Sequence, residues 1–138
     1  MKTDQQIEQE IQAKGLTAPR VTREDIERNI AAQYFFTAQN GVQGADPHLA
    51  QYSDKSLDLL TFCVLVMRNG FTVTGESACA SPENFDAEIG RAIARNNAIE
   101  KLWPLEGYLL KDRLYKDSFP DIEQQPVKTL ADSISDLA

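Results

Sequence analysis

The chain has 138 residues, of which 42% are hydrophobic and 25% charged, enough for one domain of ordinary size and inconsistent with wholesale disorder. A formal net charge of -7 argues against general affinity for DNA, RNA or anionic membranes, which select for basic surfaces. The apolar run Phe62–Met67 is far short of the roughly 20 residues that span a bilayer, and the opening MKTDQQIEQEIQ lacks the apolar core of a secretory signal. Two cysteines, Cys63 and Cys79, with a single histidine, His48, supply neither a disulfide framework nor a metal-ligand set. These bounds describe a small, acidic, cytosolic, single-domain protein.

Residues 1–20 form a polar N-terminal arm or short helix, with Ile7 and Ile11 on a thin apolar stripe, broken by Gly15 and Pro19. The arm is expected to be mobile or exchanged with a neighbouring chain. Thr22 then caps a helix start with Asp25 three residues on, while Val21 and Ile26 occupy the two positions of a hydrophobic staple. Ile26, Ile30, Tyr34 and Phe35 predict a helix over about 22–36. From 37 to 54, Asn40-Gly41, Gly44 and Asp46-Pro47 read as a long loop.

The run from Leu57 to Arg68, then Asn69-Gly70, then alternating Phe71-Thr72-Val73-Thr74, predicts a β-hairpin with a two-residue turn whose central residues both take positive φ. The first strand is apolar nearly throughout, so it is expected to be covered on both faces. Ser81-Pro82-Glu83 predicts an N-cap and first turn for a helix from 82 to about 101 or 102. Pro104 bends or ends it, and Leu105–Tyr115 resumes as a second helical segment. The predicted organisation is an arm at 1–20, one core domain at 21–116 and a C-terminal tail at 117–138. The fold class is α+β: an antiparallel hairpin packed against a long kinked helix plus one or two N-terminal helices.

Three kinds of chemistry have candidates. A thiolate nucleophile needs a histidine or cation beside it, and only His48 could pair with Cys63 or Cys79; buried, inert cysteines are the commoner case. Glu76, Glu83, Asp86 and Glu88 cluster, but acids in a first helical turn ordinarily answer the helix dipole. The third is recognition of an anion. On a helical wheel Phe85, Ile89, Ala92, Asn96, Ile99 and Trp103 fall within roughly 40° of one another, a core-facing stripe with one amide, Asn96. That amide either satisfies nearby backbone or reads a ligand. Beside the stripe lie Arg91 and Arg95, and with Arg68 at the hairpin turn they could line a concave, phosphate-binding surface on which Phe71 or Phe85 stacks a base. Alternatively the arginines pair with Glu83, Asp86 and Glu88 on a solvated face.

The stretch Leu60–Leu114 resembles a family of small tailed-phage early proteins. It does so through Asn69-Gly70-Phe71, Gly75-Glu76-Ser77-Ala78-Cys79, Pro82-Glu83-Asn84-Phe85-Asp86 and Trp103-Pro104-Leu105-Glu106-Gly107-Tyr108. It is similar in particular to the branch that defeats the Thoeris defence by sequestering its signal, a cyclised ADP-ribose isomer. Some members of that branch also hold cyclic oligonucleotides. The resemblance implies a homo-oligomer in the cytoplasm of the infected bacterial host, with pockets where subunits meet, no cofactor and no turnover. The competing readings are an acidic phage protein that binds and redirects a host protein, and a hydrolase of nucleotide signals acting through Glu76 or Cys79. The site residues Arg68, Phe71, Phe85, Arg91, Arg95 and Asn96 come from helix and hairpin geometry, not from family motifs.

Overall fold

The computed structural model describes residues 1–119 and 129–135. It divides into two compact units, Met1–Gly107 and Tyr108–Ala138. The first unit begins with α1 (Asp4–Ala13), α2 (Arg23–Arg28) and strand β1 (Ile30–Thr37). Two short helices follow, α3 (Ala38–Ala45) and α4 (Pro47–Ala50), then a 3-10 turn at Lys55–Leu59. Strands β2 (Leu60–Met67) and β3 (Thr72–Ala78) form the hairpin. A 3-10 turn at Pro82–Asn84 leads into α5 (Ala87–Glu100), and α6 (Leu102–Ser118) starts in this unit. The second unit holds the remainder of α6 and α7 (Leu130–Ser135). Of the tail expected at 117–138, residues 120–128 and 136–138 lie outside the described residues.

The sheet is antiparallel in the order β1-β2-β3, so the fold is α+β with helices packed on a hairpin extended by a third strand. That third strand corrects the helix expected over 22–36. Thr22 caps as anticipated, in a reciprocal box with Asp25, but the helix stops at Arg28. Ile30–Thr37 instead satisfies its backbone against β2, pairing Gln33 with Leu65 and Phe35 with Cys63. The loop expected over 37–54 is also helical. Thr37 and Asn40 form a capping box for α3, and Asp46 caps α4 ahead of Pro47.

The hairpin turn differs from expectation in kind. Arg68, Asn69 and Gly70 connect the strands, and the Gly70 N–H donates to the Met67 carbonyl at 2.8 Å. The Met67 N–H donates to the Phe71 carbonyl, also at 2.8 Å. Only Gly70 takes a positive φ, 88°, as in a type I turn closed by a left-handed residue.

The core comprises Ile26, Cys63, Leu65, Met67, Val73, Ala94, Ala98, Ile99 and Leu102, with Val21, Ile30, Phe35 and Trp103 packed around it. The face that α5 turns to the sheet is Gly90, Ala94, Ala98 and Ile99; of the stripe read from the sequence, Ile99 is buried and Trp103 packs on the core, whereas Ile89, Ala92 and Asn96 are exposed, Ile89 by 59%. The reason lies in β3. A Cβ on Gly75 would run into the backbone of Ala94 and Ala98, so the helix axis is drawn onto the strand and only small side chains fit between them. Asn97 fastens the same approach by donating Nδ2 to the Glu76 carbonyl at 2.8 Å. α5 ends at Glu100, and the N–H of its C-cap Lys101 closes a tight turn onto the Ala98 carbonyl. Pro104 then falls in the first turn of α6, where no donor is required of it.

The opposite sheet face carries Ala32, Tyr34 and Phe36 on β1 beside Phe62, Val64 and Val66 on β2. Phe36 and Phe62 stack at 5.5 Å. The double coverage expected for β2 is therefore absent within the first unit: Phe62, Val64 and Val66 are half-buried, and Tyr34 and Phe36 exposed.

Candidate functional site

At the end of the sheet where Thr37 pairs with Thr61, the first turn of α3 and the start of α5 converge on a cleft of about 100 Å³. Phe35, Phe36, Thr37, Asn40, Thr61, Phe85, Ala87 and Arg91 line it. Each has a local reason for its position. β1 alternates, so Phe35 faces the core side and Phe36 the outer side. Thr37 and Asn40 are fixed by their reciprocal cap: the Thr37 N–H donates to Asn40 Oδ1 at 2.8 Å, and the Asn40 N–H to Thr37 Oγ1 at 3.1 Å. Phe85 follows the 3-10 turn at Pro82–Asn84, and Asp86 accepts the Ile89 N–H at 3.0 Å to start α5. Gly90 then lets α5 pass close to Thr61, whose Oγ1 would lie 3.2 Å from a Cβ at that position. One turn into α5, Arg91 is exposed and makes no ion pair among the described residues. A guanidinium beside three phenyl rings suits a planar group that carries negative charge.

Arg95 has a different employment. Its Nη1 and Nη2 donate to Glu27 Oε1 and Oε2 at 2.8 and 2.6 Å, and its Nε donates to Gln33 Oε1 at 2.8 Å. Arg23 joins the network, reaching Glu27 at 3.3 Å, Asp4 at 3.0 Å and Asn96 Oδ1 at 3.4 Å. Hydrogen bonds and charge from Arg95 hold the Glu27 carboxyl down to about 2 despite partial desolvation. The arginine has an acidic partner, as the alternative reading allowed, but that partner comes from α2 rather than from Glu83, Asp86 or Glu88. The Asn96 carbonyl is spent on Arg23, on an exposed surface of α5.

The hairpin tip stands apart. Arg68 and Phe71 lie beyond Met67, six residues and about 20 Å along β2 from Thr61. The Arg68 N–H donates to the Asn29 carbonyl at 3.0 Å, and both side chains are exposed. Within one chain, then, Phe85 and Arg91 share the cleft, Arg95 and Asn96 belong to the network around Arg23 and Glu27, and Arg68 and Phe71 occupy the far end of the sheet.

The cleft also contains residues that sequence reasoning passed over. The sequence pattern puts Phe35, Phe36 and Thr37 in or just beyond a helix and Asn40 in a loop. A Thr37–Asn40 capping pair was the available signal.

The nucleophile candidates are separated by environment. Cys63 is buried in the core, and desolvation pushes its thiol up, only partly opposed by Arg95. Cys79 donates Sγ to the Ser81 carbonyl at 3.2 Å. His48 lies on α4 with its ring against Tyr52 and Gln51. Among the described residues no three His, Cys, Asp or Glu side chains gather as a metal site, and no helix is long and apolar enough to cross a membrane.

A family model described as "Phage protein (N4 Gp49/phage Sf6 gene 66) family" matches residues 21–114, about two thirds of the chain. The matched region runs from the residue before the α2 cap into α6 and includes the whole sheet, the cleft and the Glu27–Arg95 network. No curated protein and no solved structure matches the chain.

Proposed function

The chain belongs to this family of phage proteins, and we propose that it binds and sequesters a cyclic nucleotide immune signal of the infected host without cleaving it. The signal class is a cyclised ADP-ribose isomer, with cyclic oligonucleotides as further ligands, and the defence countered is of the Thoeris type. The observation that carries this reading is the cleft at Arg91. An uncommitted guanidinium suits phosphate oxygens, and the rings of Phe36 and Phe85 suit a nucleobase. Sequestration asks only for pre-organised binding, and the capped turns that hold Thr37, Asn40 and the start of α5 supply rigidity.

At about 100 Å³ the cleft takes part of such a ligand, since pockets for whole small molecules run to roughly 300–1,000 Å³. The reading therefore includes a homo-oligomer in which a second copy completes the pocket. The apolar row Ala32, Tyr34, Phe36, Phe62, Val64 and Val66, flanked on β3 by Thr72, Thr74 and Glu76, supports association, because it offers a second copy apolar surface to cover.

The test is isothermal titration with a cyclic ADP-ribose isomer and a cyclic dinucleotide. Arg91→Ala should lose binding at least tenfold, the worth of a charge-assisted phosphate contact at about 1.5–3 kcal/mol, while its oligomeric state on light scattering stays unchanged. Equal affinity in wild type and variant overturns the assignment of Arg91. The same apolar face also suits a host protein, and capture of one specific partner by a chain that binds no nucleotide would favour that second reading.

A further inference from the structure

We propose that α1 is a strap latched by ion pairs over a groove containing Trp103, and that the strap opens as ionic strength rises. α1 buries none of its residues fully, so its apolar hold on the body is thin, with Ile11 half-buried and Ile7 exposed. Between α1 and the segment Arg20–Glu24 lies a groove of about 760 Å³ whose apolar wall is Ile7, Ile11, Val21 and Trp103. What crosses it is charge. Arg20 Nη1 and Nη2 donate to Glu8 Oε2 and Oε1, both at 2.6 Å, and Arg23 Nη1 donates to Asp4 Oδ2 at 3.0 Å.

The two pairs are unequal. Arg23 divides its donors among Asp4, Glu27 and Asn96, so Arg20–Glu8 is the principal latch. Its side chains are 29% and 33% exposed, which leaves the pair open to screening by salt.

The helix is also finished independently of the body. Thr3 and Gln6 cap its start reciprocally, and Gly15, at φ 66°, ends it with the Leu16 N–H returning to the Ile11 carbonyl at 3.2 Å. Residues 16–19 then connect α1 to Arg20 without helix or strand, which places a hinge beside the latch. Opening uncovers the groove wall while leaving the sheet, α5 and the Arg91 cleft in place. The inference is independent of the ligand proposed for that cleft.

Trp103 is the single tryptophan, so its fluorescence reports on the groove. Acrylamide quenching is measured on the full chain at about 10 mM and about 1 M NaCl, where the screening length falls from roughly 30 to 3 Å. Wild type should become more quenchable as salt rises. Glu8→Gln should be more quenchable already at low salt, its open-to-closed ratio raised about two- to fivefold, the factor one part-exposed ion pair provides. The exchange Glu8→Arg with Arg20→Glu should restore low-salt protection, which a general loosening would not. Quenching that is insensitive to salt in wild type overturns the proposal, as does a Glu8→Gln chain indistinguishable from wild type at both salts. Should a variant fail to fold by far-UV circular dichroism, the wild-type salt titration decides alone.

Discussion

At Gly75 the backbone of β3 lies too close to α5 to admit a Cβ, and Gly75→Ala tests whether that contact organises the core. A Cβ at position 75 would meet the Ala94 carbonyl and the Ala98 amide inside any real carbon contact, with the Ala98 Cα a further 3.0 Å neighbour. All three are backbone atoms of one helix, so no rotamer change relieves the clash. α5 must retreat by about 1 Å, and a gap of that size forfeits a quarter to a half of the dispersion energy along a seam. The seam holds Val73, Cys63, Leu65, Ala94 and Ala98, all buried. Overpacking ordinarily costs about 1–3 kcal/mol, and a clash with immovable backbone belongs at the upper end, about 3 kcal/mol. For a domain of this size that is roughly a 10 °C fall in Tm. Guanidinium unfolding followed by far-UV circular dichroism, at fixed pH, measures it. A loss below about 1 kcal/mol would refute the reasoning, because the helix could then sit further from the strand at little cost.

Gly107→Ala is the counterpart. Nothing lies within 4 Å of a Cβ there, and the position is inside α6, so stability should rise by up to about 1 kcal/mol in the same assay. Acid should weaken the fold through Glu27. Its folded value of about 2 lies below the ordinary 4.5, so its contribution is whole above about pH 5 and is lost as pH falls toward 2. The shift alone corresponds to about 3 kcal/mol; with Glu27 37% exposed, screening reduces this to about 1–2 kcal/mol. Glu27→Gln should remove that share of the acid dependence, and parallel stability-versus-pH curves for variant and wild type would contradict it. Arg95→Ala should lose stability by a similar amount at neutral pH, whereas Arg91→Ala should melt as wild type does. The reverse order in thermal denaturation would exchange the roles of the two arginines.

The hairpin was legible because its signals are local: apolar runs on either side of Asn69-Gly70, with a single glycine able to take the left-handed turn position. The Thr22 cap was legible for the same reason. β1 was not, since Ile26, Ile30 and Tyr34 fit a helix as well as Ile30–Thr37 fits a strand. Pairing with β2, some thirty residues away, decided between them. At α4 the information was present and misassigned: Asp46-Pro47 marks a turn in many contexts, but here it is an N-cap with proline at the first helical position.

On α5 the expectation that apolar residues face the core placed Ile89, Ala92 and Asn96 inward. The absence of a side chain on Gly75 instead drew in Gly90, Ala94 and Ala98, and no pattern within the helix reports on that strand glycine. The candidate site divided along the same line. Phe85 and Arg91 were found from one segment, whereas Phe35, Phe36, Thr37 and Asn40 reach the cleft only through the strand pairing. Arg95 drew attention as a spare cation because its partner, Glu27, lies 68 positions earlier in the chain.

Sequestration is tested most directly by incubating the full chain with a panel of cyclic ADP-ribose isomers and cyclic oligonucleotides. Free ligand is followed by chromatography before and after the protein is heat-denatured. One ligand should disappear on mixing and return intact, in near-stoichiometric amount, on heating. A panel left undepleted would contradict nucleotide binding, and a ligand that returned chemically altered would contradict sequestration without cleavage.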